Sequence, residues 1–208
     1  MLQSDSRFVE AVTSTVADIE CDTAAEIVVV AAGRSAPYIG TAVLIGTATA
    51  WLAVALCMLA GVSPGVGWLL VELPLVGGLV SWWAHRSPFL MRALLSRARA
   101  TEAVSQAASA AFTDEMVHGT RHRTGLLVYI SGLERKVCLI ADGGIEAVVP
   151  PGEWGALPWC RHSVESAPAD LDAFLEELRN VGVCLARHLP ADSGDNPDEL
   201  SNAPRVRP

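Results

Sequence analysis

The residues able to do chemistry gather around one stretch, "RTGLLVYISGLERKVCLIADGGI", from Arg123 to Ile145. Two strand-length apolar runs carry charge at their ends: Arg123 before the first, Glu134 and Arg135 in the corner, Asp142 after the second. Hydrolysing a phosphomonoester needs a nucleophile or a metal-activated water, plus positive charge for the phosphoryl oxygens. Asp142 is followed by Gly143 and Gly144, so it stands where a carboxylate can meet solvent and backbone can approach a ligand. Paired with Glu134, or with Glu26 at the head of another apolar run, it would hold Ca²⁺ or Mg²⁺, which favour carboxylate oxygens. Arg123 would then face the anion. The same residues also have a structural reading, with Asp142 capping a turn and Glu134 and Arg135 solvated in a hairpin.

Other constellations are incomplete. His118 and His122 have the spacing of zinc ligands on a helix, but Gly119 and Thr120 between them end the helix, and no third ligand is suitably spaced. Ser131 lies outside any GxSxG elbow. There is no Walker A run, no GxGxxG fingerprint and no DxDxDG calcium loop. The five cysteines, Cys21, Cys57, Cys138, Cys160 and Cys184, include no CxxC pair, which argues against a zinc ribbon or a thioredoxin-like site. They read as small buried hydrophobes in a reducing compartment.

The elements that must position these groups are legible from periodicity. Phe8, Val12, Val16 and Ile19 recur at helical spacing over residues 7–20, and "AEIVVVAA" after them reads as a buried strand. Strands are expected at about 125–131 and 136–142, a helix from Ser87 and Pro88 toward His118, a short helix at "PPGEW" and a long amphipathic helix over 170–188. Residues 190–208 are rich in Asp, Asn, Ser and Pro and are expected to be mostly irregular.

Between the first strand and the next helix lie two apolar blocks. Residues 38–60 hold no charge over 23 positions, and residues 66–83 hold one, Glu72, over 18. As helices these reach roughly 34 and 27 Å, near the roughly 30 Å of a bilayer's hydrocarbon. "GVSPG" between them turns the chain, and Trp82 and Trp83 close the pair where an interfacial aromatic belt belongs. The sequence therefore predicts two membrane spans. Glu72 would be protonated, hydrogen-bonded to Thr47 or Thr49 across the hairpin, near the far interface, or in contact with a partner in the membrane.

Charge fixes the sidedness. The chain carries −8 overall, yet residues 84–100 hold Arg86, Arg92, Arg97 and Arg99 with no acid, while 1–34 and 101–208 are net acidic. Such a collar belongs on the cytoplasmic face, with Arg86 and Arg92 against the lipid. Both termini are then cytoplasmic, and nothing ahead of Tyr38 resembles a signal peptide. The acidic balance, with no basic run interleaved with aromatics, argues against a nucleic-acid partner. A lone strand cannot satisfy its backbone, so residues 1–34 and 87–189 are expected to form one discontinuous domain around the insertion.

In order, "AEIVVVAAGRSAPY", "AVSQAASAAF", "HGTRHRTGLLVYISGLERKVCLIADGGI", "VPPGEW" and "VGVCLARHLPADSGDNPDEL" resemble the TPM domain. The match is to its bacterial membrane form, in which two transmembrane helices interrupt the domain. The most specific part is residues 120–142, supported by Glu153 and Trp154 and by residues 196–200. The family's ending places Asn directly before Glu, whereas Pro197 and Asp198 intervene here. The resemblance implies an α/β sandwich with a small central sheet between helices, in a two-pass protein of the bacterial inner membrane. Some family members are assigned acid phosphatase activity, some bind calcium, and others act as assembly or accessory factors. Two functions follow as expectations. One is an interaction, assembly or quality-control module with the bilayer and a membrane protein as partners; the other is a membrane-bound, divalent-metal-dependent phosphatase centred on Asp142.

Overall fold

The computed structural model describes residues 6–62, 65–154, 157, 159, 164–168, 170–191 and 200–207. The chain divides into two compact units: Met1–Ala36 with Ala98–Pro208, and Pro37–Arg97.

The first unit is mixed α/β. Its strands are β1 (Glu26–Ala32), β2 (Gly125–Ser131), β3 (Lys136–Ala141), β4 (Val164–Ser166) and β5 (Arg205–Arg207). They form one sheet in the order β4-β3-β2-β1-β5. β1 runs parallel to both β2 and β5, whereas β2–β3 and β3–β4 are antiparallel. Every residue of β1 is buried, which is why, after Glu26, its sequence is an unbroken apolar run rather than an alternation.

Alternate residues of the strands face two separate cores. On one face, Ile27, Val29, Leu126, Val128 and Leu139 pack against helix α1 (Ser6–Glu20) and helix α8 (Leu171–His188). Phe8, Val12 and Val16 come from α1, and Phe174, Leu178 and Leu185 from α8. On the other face, Val28, Val30, Leu127, Tyr129 and Ile140 meet Val104, Ala108 and Ala111 of helix α5 (Arg97–Asp114). The small alanines of α5 let that helix lie close to the sheet. Side chains as fully buried as Val12 or Leu178 each contribute about 1.5–3 kcal/mol.

The second unit contains α2 (Ile39–Leu59), α3 (Val66–Arg86) and α4 (Pro88–Leu94). Ala42, Gly46 and Ala50, spaced at i+4, are the buried residues of α2. A Cβ on Gly46 would overlap the Gly77 carbonyl oxygen and the Ser81 hydroxyl, so backbone approaches backbone there. The outward residues stay apolar: Leu44, Leu52, Leu70 and Leu75 are all exposed. Among the described residues, one helix, α2, is long and apolar enough to cross a membrane.

Three expectations need adjustment. The helix foreseen from Ser87 toward His118 is two helices, α4 and α5, because Leu95 turns extended and the division between the units falls at Arg97. Asp142 is not a strand residue; it leaves the ladder to begin α6 (Gly143–Val148). The tail expected to be mostly irregular also supplies a short strand, β5, whose Arg205 and Arg207 reach Glu115 and Asp114 at the end of α5. Residues 196–199, part of the resemblance at the C terminus, lie outside the described residues.

Candidate functional site

The sheet separates the predicted site residues between its two ends. Glu26 opens β1 beside Gly125 of β2, and Asp142 follows β3 at that same end. Glu134 and Arg135 occupy the β2–β3 turn at the opposite end. A six-residue β3 spans about 20 Å at 3.4 Å per residue, so Glu134 and Asp142 cannot share an ion. Glu26 and Asp142 are attached to strands on either side of β2, about 10 Å apart at 4.8 Å per strand. Each of these two carboxylates has a partner of its own, Glu26 the Leu200 amide and Asp142 the Arg123 guanidinium. Among the described residues, no three His, Cys, Asp or Glu side chains are grouped to hold a metal.

At the Asp142 end, the carboxylate is buried, at 3% exposure, and its charge is met from two directions. Arg123 donates from Nη2 to Oδ1 at 2.7 Å and from Nε to Oδ2 at 3.4 Å. The Gly143 amide donates to Oδ1 at 2.6 Å, making Asp142 the N-cap of α6. Arg123 reaches this position from a left-handed backbone, φ 57°. The Gly144 amide donates to the Arg123 carbonyl at 2.9 Å, and a Cβ on Gly144 would overlap the carbonyl oxygens of His122 and Arg123. Gly144 thus lets the start of α6 pack backbone to backbone on residues 122 and 123, whereas a Cβ on Gly143 would meet only the Arg123 guanidinium at 3.7 Å. Arg123 is 67% exposed, so the pair presents a guanidinium outward and keeps its carboxylate inside. Glu26, also buried, accepts the Leu200 amide at 3.2 Å and so fastens the C-terminal segment to β1.

The opposite end holds a polar knot. The buried Ser131 hydroxyl donates to Glu134, and the Ser35 hydroxyl donates to Ser131 at 2.9 Å. The Ser35 amide donates to Glu134 Oε1 at 3.1 Å, and Tyr129 reaches the Ser35 hydroxyl at 3.4 Å. Burial pushes the Tyr129 hydroxyl's pKa up, although its hydrogen bond to Ser35 opposes the shift. Gly132 and Leu133 amides donate to the carbonyls of Ala32 and Gly33, so the turn is tied to the segment following β1. Ser131 has a carboxylate partner, as a nucleophile would, yet its hydroxyl is sealed from solvent. Arg135, at φ 51°, lets the turn close.

A third cluster escaped sequence reasoning. Glu153 of α7 (Pro151–Trp154) lies 2.9 Å from His188 Nε2 and 3.3 Å from Arg187 Nη1, at the end of α8. The His188 hydrogen bond, chiefly, holds the Glu153 carboxyl below its usual pKa, with Arg187 adding to it. Cys184 stands one turn earlier, its Sγ 3.9 Å from the same carboxylate; burial first, then Glu153, push its thiol up. The partners are more than thirty residues apart in sequence, so no local spacing announces them. Ser35 was likewise invisible, being an ordinary loop serine until the sheet brings it to Ser131. His118 faces the Phe112 ring at 6.2 Å.

No protein-family model matches this chain, and no curated protein matches it. Among solved structures, it is similar to the NMR structure of the BA42 protein from the psychrophilic bacterium Bizionia argentinensis. The likeness has a TM-score of 0.54 at 14% identity, covering 97% of this chain and 94% of the other. At that identity the likeness extends to the fold alone.

Proposed function

We propose that the chain is a two-pass membrane protein of the bacterial inner membrane, with a TPM-type α/β domain that works by interaction on the cytoplasmic face. The observation that carries this reading is the apolar exterior of α2 and α3. Side chains such as Leu44, Leu56, Leu70 and Leu79 are more than half exposed along both helices, an arrangement that water penalises and lipid does not. The arginine collar supports the orientation: Arg86 lies 4.8 Å from the Trp82 ring, a cation–π contact suited to a headgroup layer.

An interaction role, in assembly or quality control, is favoured by what the carboxylates do. Asp142 caps α6 and pairs with Arg123, Glu134 knots the β2–β3 turn, and Glu26 fastens the C-terminal segment. Each holds a different part of the fold. The phosphatase alternative would have to work from the Arg123–Asp142 pair alone.

Two measurements test the reading. The protein should resist alkaline extraction from bacterial membranes and should be cleaved by protease added to inverted vesicles but not to spheroplasts. Cleavage of the α/β domain from outside spheroplasts defeats the orientation. Purified full-length protein should release no more p-nitrophenol from p-nitrophenyl phosphate, with Mg²⁺ or Ca²⁺, than its Asp142→Ala variant. A turnover lost with Asp142→Ala would instead establish the phosphatase.

A further inference from the structure

The helices α2 and α3 approach each other closely at Gly46, Gly77 and Ser81, in the half of the hairpin nearer its collar. In the half nearer the turn, the same two helices leave a groove of about 360 Å³. Ala53, Val54, Cys57, Leu69 and Leu73 line it, and Glu72 is its one carboxylate. The contact expected across the hairpin is absent: Thr49 donates to the Ile45 carbonyl of its own helix at 2.8 Å. No described residue hydrogen-bonds or ion-pairs with Glu72.

Glu72 stands six residues into α3, about 9 Å along the axis. On the two-pass reading, on which this inference rests, that depth is inside the hydrocarbon, where a carboxylate without a partner is costly. Three occupants can be compared by charge. A lipid acyl chain would fill the apolar walls and leave the carboxylate as it was. A second copy docked about a two-fold axis would bring Glu72 against Glu72 in a medium of low dielectric. A helix with a basic side chain satisfies both the walls and the acid. We propose that this groove is the docking site for a membrane-spanning helix of a partner protein, one that carries a lysine or arginine at the depth of Glu72.

The test uses full-length protein, donor-labelled, in phosphatidylcholine vesicles. The probes are acceptor-labelled synthetic Leu/Ala helices of about 20 residues, with a single lysine at one of several depths or none. Energy transfer should be strongest with one lysine depth and at least about tenfold weaker in affinity, roughly 1.4 kcal/mol, with the lysine-free helix. Glu72→Gln should abolish that preference, and Glu72→Asp should keep most of it. Ala53→Trp, which fills the groove and spares the acid, should weaken binding of the lysine helix. Equal transfer with and without lysine overturns the proposal, as does a preference indifferent to Glu72→Gln. Glu72-dependent transfer between two labelled copies of the chain overturns it in favour of self-association. Failure of the protein to float with the vesicles removes the two-pass reading and this site together. Floating protein indifferent to the lysine removes the site alone.

Discussion

Asp142 shows how one residue type can serve chemistry or structure, and its partners decide between them. Its carboxylate is buried against Arg123 and the first amide of α6. Asp142→Ala leaves that amide uncapped and Arg123 without its anion; the expected loss is about 1–2 kcal/mol, with Asp142→Asn losing less. Urea unfolding of the detergent-solubilised protein checks both. Glu153 gives a pH dependence. Its carboxyl is held below the usual value of 4.5 by His188 and Arg187. The stability it contributes is therefore present above about pH 4.5 and fades as pH falls through the lower, folded-state value. The difference in melting temperature between wild type and Glu153→Gln should be largest above that pH and shrink in more acidic buffer. Cys138 is buried on the α5 side of the sheet, and burial pushes its thiol to about 11. Native protein at pH 8 should alkylate at the exposed Cys21 while Cys138 stays unmodified, with mass spectrometry of peptides as the readout.

At the scale of elements, periodicity locates long helices and buried strands well because each presents a repeated face to a core. Phe8, Val12 and Val16 announce α1, and the run over Glu26–Ala32 announces β1. Three-residue strands have no such repeat, and β4 and β5 went unseen because their pairing is supplied by β3 and β1. The break between α4 and α5 was also hidden, since both sides of Leu95 have helical composition. Two close approaches can be probed at this scale. Gly144→Ala drives a methyl into the His122 and Arg123 carbonyls, with an expected cost of about 1–3 kcal/mol. Gly46→Leu forces α2 off α3 at Gly77 and Ser81. Disulfide crosslinking between cysteines placed at Ala50 and Gly77 should fall sharply in that variant while far-UV helicity is kept.

At the scale of the molecule, one sheet is assembled from strands on both sides of the second unit: β1 precedes residues 37–97, and β2 follows them. Replacing residues 37–97 with a flexible Gly/Ser linker should leave a water-soluble protein with one cooperative melting transition. Loss of that transition would show that α2–α4 are required for the sheet to form. Composition and pattern alone determined the α/β class, the apolar blocks and the arginine collar, because these depend on local apolar periodicity and on counts of charge. The pattern also marked Arg123, Glu134 and Asp142 as the residues to watch. Only the tertiary structure decided what they touch. Register put Glu134 at the other end of β3 from Asp142, pairing placed Glu26 beyond β2, and chain reversal brought Ser35 to Ser131 and Glu153 to His188. Distances between residues far apart in sequence are set by packing, and coordination chemistry is a matter of those distances.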